Sequence, residues 1–76
     1  MYRFLIIIEQ GDRNYSAYVP DLPGCIATGK TLEEVKKNMK EAIELHLQGM
    51  IEDNEVIPTS QSMAEYLDVP APTSAA

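Results

Sequence analysis

Apolar and polar positions change rhythm along the chain, and each change marks a new element. From Tyr2 to Glu9 the pattern predicts a first strand, with Tyr2, Phe4, Ile6 and Ile8 on one face and Arg3, Leu5, Ile7 and Glu9 on the other. Its middle is apolar on both faces, the mark of a strand covered on two sides and central in its sheet. Gln10-Gly11-Asp12-Arg13 has the chemistry of a hairpin loop. A second strand follows from Asn14 to Val19, antiparallel to the first. It sets Tyr15, Ala17 and Val19 on one face and Ser16 and Tyr18 on the other. From Leu32 the period lengthens. Leu32, Val35, Met39, Ala42, Ile43, His46, Leu47, Met50 and Ile51 recur at three- and four-residue spacing, which predicts one amphipathic helix from about Leu32 to Asp53. Gly49 lies within it at a cost of roughly 1 kcal/mol relative to Ala, and a helix that stops at Gly49 is the alternative. Asn54 is the residue expected to take the left-handed conformation that ends the helix.

The chain between these two rhythms, Tyr18 to Val35, is dense in turn signals. Pro20 and Pro23 each fix φ and remove a backbone donor, so no central strand continues through them. Leu22-Pro23-Gly24-Cys25 predicts a type II turn, with Pro at its second position and Gly where φ must be positive. Cys25 to Thr28 then forms a short third strand that Gly29 breaks, and Thr31 with Glu34 is a capping box for the helix. After the helix, Ile57-Pro58-Thr59-Ser60 is a connection and Thr59 to Ala64 is read as a turn of helix. Glu65 to Val69 is expected as a short final strand, and residues 71–76 as a disordered tail. The expected fold class is α+β in the order β-β-β-α-β. It has a small mixed sheet, one long helix on one face, and the last strand parallel to the first by a right-handed crossover. Residues 1–70 make the single domain.

At 76 residues a core alone supplies no more than roughly 3–5 kcal/mol, so a staple is expected. Cys25 is the one cysteine and His46 the one histidine, which excludes an internal disulfide and leaves a zinc site short of ligands. Association is the remaining common route. With one long helix and a first strand apolar on both faces, a second copy is the economical cover for the open face of the sheet, in a homodimer or tetramer. The apolar run Phe4 to Ile8 is far too short for a membrane span, and no signal-peptide pattern precedes it. A lone thiol and the missing leader make the cytoplasm the expected location. A formal net charge of −6 argues against direct binding of nucleic acid; it is compatible with a basic protein partner, but taken alone it reads first as charge that keeps a small protein soluble.

Candidate chemistry is sparse. A two-ion nuclease needs converging carboxylates, and Glu9, Asp21, Glu41 and Glu44 are the candidates. Glu41 and Glu44 belong to the polar face of the helix. Asp21, framed by two prolines, either accepts hydrogen bonds from nearby backbone in an Asx-type turn or meets a basic partner. Cys25 is read as a buried small hydrophobe and His46 as a core-edge residue, with nothing to bring them together as nucleophile and base. Tyr15 and Tyr18, on opposite faces of one strand, are candidates for partner contact. No cofactor is expected, and no enzymatic activity.

The segment Tyr18-Val19-Pro20-Asp21-Leu22-Pro23-Gly24-Cys25 continues through Gly29 to Thr31-Leu32-Glu33-Glu34, the amphipathic helix and Val56-Ile57-Pro58. In this order the residues resemble the HicB antitoxin family of bacterial toxin–antitoxin systems, over about residues 2 to 70. That resemblance implies a partly degraded ribonuclease-H-like fold. It also implies a partner: a small basic toxin ribonuclease, which cleaves mRNA with a catalytic histidine and which the antitoxin covers. Family repressors carry a C-terminal DNA-binding segment. Here Val69 is followed by Pro-Ala-Pro-Thr-Ser-Ala-Ala, so direct DNA binding by this chain is not expected. An orphan oligomeric scaffold or ligand-binding domain without a toxin, and a residual ribonuclease-H-like nuclease, are the alternatives.

Overall fold

The computed structural model describes residues 1–73. It contains strands β1 (Ile7–Gln10), β2 (Tyr15–Tyr18) and β3 (Ile26–Gly29), followed by helix α1 (Leu32–Glu52). The sheet has the order β1-β2-β3 and both pairings are antiparallel. One row of the register joins Ile8, Ala17 and Ala27; the next joins Ile7, Tyr18 and Ile26. α1 lies over β2 and β3. The core between them is small: Ala17, Val19, Leu22, Cys25, Val35 and Met39 are buried, with Ile6, Ile8, Ala42, Ile43 and Leu47 packed around them. This is the α+β arrangement of three antiparallel strands and one long helix.

The turn between β2 and β3 holds the two halves of the core together. Leu22 N–H donates to the Val19 carbonyl at 3.1 Å, and Cys25 N–H donates to the Leu22 carbonyl at 3.1 Å. Gly24 has φ of 83°, as the third position of a type II turn requires. Val19 N–H donates to the Cys25 carbonyl at 3.2 Å and closes the double turn into a ring. The prolines cost no ladder bond, because the ring satisfies the backbone around them. Leu22, at its centre, is among the most buried side chains of the protein.

The ends of the helix follow their local signals. Thr31 is the N-cap, and its hydroxyl accepts the Glu34 N–H at 3.0 Å. The Glu34 carboxylate reaches back one residue further than a capping box does, to Lys30 N–H at 3.2 Å. The helix runs through Gly49 and ends in a Schellman motif. Asn54 takes φ of 57°, Glu55 N–H donates to the Met50 carbonyl at 2.8 Å, and Asn54 N–H to the Ile51 carbonyl at 3.1 Å.

Three expectations differ from the structure. The first strand, expected from Tyr2 and central, pairs from Ile7 to Gln10 and lies at an edge of the sheet. The final strand expected at Glu65–Val69 does not form in the single chain, so no strand runs parallel to β1 among the described residues. Nor does Thr59–Ala64 make a turn of helix. The two strand differences share a reason: Tyr2–Ile6 and Glu65–Val69 find no partner backbone among the described residues, and an extended segment without a ladder is not a strand. The disordered tail expected at 71–76 lies outside the described residues from position 74 onward.

Candidate protein-binding face

The sheet has two unequal faces. Tyr15, Ala17 and Val19 point towards the helix, as do Ile8 and Ala27, which pair with Ala17. The opposite face carries no covering element among the described residues. Across it run the row Ile7–Tyr18–Ile26 and the polar row Glu9–Ser16–Thr28. Tyr18 is 40% exposed and Ile26 68%, so the apolar row is open to water. The two candidate tyrosines are therefore separated. Tyr15 is half-buried against the core, while Tyr18 sits at the middle of the exposed row. Ile26 was missed by sequence reasoning. Its signal was available, because alternation in Cys25–Thr28 puts Ile26 opposite the side of Cys25 and Ala27.

Asp21 does not make the local Asx-type turn expected of it. Its carboxylate turns away from the local backbone and onto residues beyond the helix. Oδ1 accepts Ser62 Oγ–H at 2.9 Å. Oδ2 accepts Ser62 N–H at 3.2 Å, Gln61 N–H at 3.1 Å and Ser60 Oγ–H at 3.3 Å. These bonds hold its carboxyl below the ordinary carboxylate range, with the Ser62 hydroxyl as the largest cause. Asp21 is thus a clasp for the segment that leaves the helix. Ser60, Gln61 and Ser62 gave no sequence signal for this, being three small or polar residues in a loop.

Gly29 and Asn38 complete the frame. A Cβ on Gly29 would lie 2.5 Å from Val35 N and 2.8 Å from Val35 Cα, so the end of β3 touches helix backbone. The glycine, expected to break the strand, is instead its last paired residue, opposite Tyr15, and is there for close approach. Asn38 Nδ2 donates to the Thr28 carbonyl at 2.8 Å and ties the helix to the free edge of β3. Cys25 is buried, and burial pushes its thiol up. Such a thiol is a core group and a poor nucleophile. His46 is half-buried on the helix. Among the described residues no three His, Cys, Asp or Glu side chains gather as a metal-holding group. Glu9, Glu41 and Glu44 do not converge, and the clasp occupies Asp21. No helix among the described residues is long and apolar enough to cross a membrane.

A family model described as "HicB_like antitoxin of bacterial toxin-antitoxin system" matches residues 4–75. The chain belongs to the HicB-like antitoxin family. It is similar in structure to a chain of the HicA3 and HicB3 toxin–antitoxin complex, with a TM-score of 0.67 and 25% identity, covering 79% of this chain and 70% of that one. Among sequence relatives, a UPF0150 protein of Synechocystis is 31% identical over 70 residues, 91% of this chain and 89% of its own. A 14.9 kDa protein from the rep-hol intergenic region of Haemophilus phage HP1 is 45% identical over 65 residues, 86% of this chain. This chain spans about half of that phage protein, the match covering 49% of its length. In this HicB-like chain the segment Tyr18 to Glu34 serves three purposes that the geometry makes plain. It forms the turn ring, the clasp for residues 60–62 and the helix cap.

Proposed function

We propose that this chain is a non-catalytic antitoxin. It neutralises a small, basic, mRNA-cleaving toxin ribonuclease in the cytoplasm by covering the surface with which that toxin holds RNA. The observation that carries the reading is the exposed row Ile7–Tyr18–Ile26 on the uncovered sheet face of a HicB-like chain. A tyrosine flanked by two isoleucines is the composition of a binding hot spot, apolar with one polar tip. Glu9 lies one row along on the same face, and the chain as a whole carries −6. Acidic groups steer a basic partner in and compete with RNA phosphates for its cations, while the apolar row sets the lifetime of the complex. Tyr18 is the contact residue in this reading. Tyr15 supports the strand from behind, and Asp21 holds the neighbouring segment in place.

The test uses the product of the adjacent reading frame. Purified with this chain, it is expected to bind at a one-to-one ratio of chains, and its cleavage of RNA is expected to stop as the antitoxin is added. Tyr18→Ala is expected to weaken the complex by roughly 30-fold or more, the scale of a hot-spot truncation. Added salt is expected to slow association. A neighbouring protein that does not bind, or one that binds and still cuts RNA at full rate, refutes the proposal.

A further inference from the structure

Residues 63–69 form an arm whose large apolar side chains are exposed. Tyr66 is 103% exposed, Leu67 82% and Val69 79%. The whole protein exposes 6593 Å², where a compact monomer of 8.5 kDa exposes about 4,700 Å². Its radius of gyration is 16.1 Å, against about 11 Å for a compact domain of this length. The surplus of roughly 1,900 Å² exceeds the roughly 800 Å² that a standard interface takes from each partner.

The same chain carries the complementary edge. One side of β1 has no neighbouring strand among the described residues. The stretch from Phe4 to Ile8 is apolar on both faces yet only half-buried. α1 lies over β2 and β3, and beside β1 a groove of about 450 Å³ opens between Phe4 and Ile6 on one wall and Met39, Ile43 and Leu47 on the other. The arm begins next to this edge. Ser62, Met63 and Glu65 share a cleft with Arg3 to Ile6, but no backbone hydrogen bond joins the two stretches. Beyond that cleft the arm leaves the body, and the molecule extends to 56 Å in its longest dimension. The 21-residue helix accounts for only about 32 Å of that length.

We propose that residues 63–69 add as a strand to the β1 edge of a second copy, each chain lending its arm to the other. In extended form the arm puts Met63, Leu67 and Val69 on one face and Ala64 and Tyr66 on the opposite one. The first face closes the partner's groove over its Phe4 and Ile6. Tyr66 lies on the other side of the sheet, on the side of Leu5, beyond the edge of the Ile7–Tyr18–Ile26 row. β1 then becomes an interior strand, as its two-sided apolar pattern demands, and an exposed edge is removed. With each of two chains both giving and receiving an arm, the reciprocal exchange is a closed two-fold dimer.

Light scattering on the full chain at micromolar concentration is expected to give twice the 8.5 kDa chain mass. The double variant Leu67→Asp with Val69→Asp changes two positions that are exposed in the single chain. It is expected to fall to the single-chain mass with its helix content, read by circular dichroism, unchanged. In an equal mixture of isotope-labelled and unlabelled wild-type chains, filtered NOEs are expected between residues 63–69 of one chain and residues 4–8 of the other. A wild-type chain that stays monomeric overturns the proposal, as does a dimer indifferent to the double variant. Arm contacts found only within one chain, or chain-to-chain contacts that omit the arm, overturn it too. None of these measurements involves a toxin, so their failure and the failure of the antitoxin reading are distinguishable.

Discussion

Asp21 and Ser62 lie 41 positions apart in sequence and are joined by two hydrogen bonds, the Ser62 hydroxyl to Oδ1 at 2.9 Å and its backbone N–H to Oδ2 at 3.2 Å. Through this pair the turn ring before the helix holds the segment after it. The chain between them makes the whole helix, so the clasp fixes where the C-terminal arm leaves the body. Replacing the carboxylate by a methyl group removes every acceptor of the clasp. In Asp21→Ala the amides of Gln61 and Ser62 are expected to lose hydrogen-exchange protection, and residues 57–65 to be cut faster by protease. The helix amides should keep their protection, because the core does not depend on the clasp.

The clasp is expected to respond to acid. Its carboxyl is held below its ordinary value of 3.8, so the ionised form is favoured by folding. The contribution is fully present above that ordinary value and is lost as pH falls through the lower, folded one. Followed by NMR, the Gln61 and Ser62 amide shifts should move together with an inflection below 3.8. An inflection above 3.8 would contradict the geometry.

Gly29→Ala is expected to destabilise the protein by about 1–3 kcal/mol, the cost of overpacking, because the new methyl meets helix backbone that cannot yield. Gly24→Ala has open space around it but φ of 83°, so its cost is backbone strain of about 1–2 kcal/mol. The two differ in remedy. At position 24 Asn should recover part of the loss, since it tolerates the left-handed region; at position 29 it should recover none. Urea unfolding at fixed protein concentration compares the four variants.

The helix caps predict a matched pair. Thr31→Ala removes the acceptor for Glu34 N–H and should cost about 1 kcal/mol. Asn54→Val forces a β-branched residue to φ of 57°, and about 1–2 kcal/mol is expected. The sites are at opposite ends of the helix, so the double variant should show the sum within about 0.5 kcal/mol. Thermal melts at one protein concentration check both.

The short-range features are legible in the amino-acid sequence alone: the type II turn at Leu22–Cys25, the Thr31 cap, passage of the helix through Gly49 and its end at Asn54. Each depends on partners within about five residues, so the local chemistry carries the decision. The sorting of Tyr15 and Tyr18 to opposite faces is legible for the same reason, since strand alternation is local. Tertiary structure decided what those local rules leave open. It chose which face the helix covers, and so made the Ile7–Tyr18–Ile26 row the exposed one. It brought Asp21 to Ser60–Ser62 and laid Gly29 on Val35 backbone. Both are long-range or steric contacts with no periodic signature. It also placed β1 at an edge, although the two-sided apolar pattern of Tyr2–Glu9 describes an interior strand. That conflict is physical. Burial on both faces needs a neighbouring strand, and the described residues of one chain do not supply it.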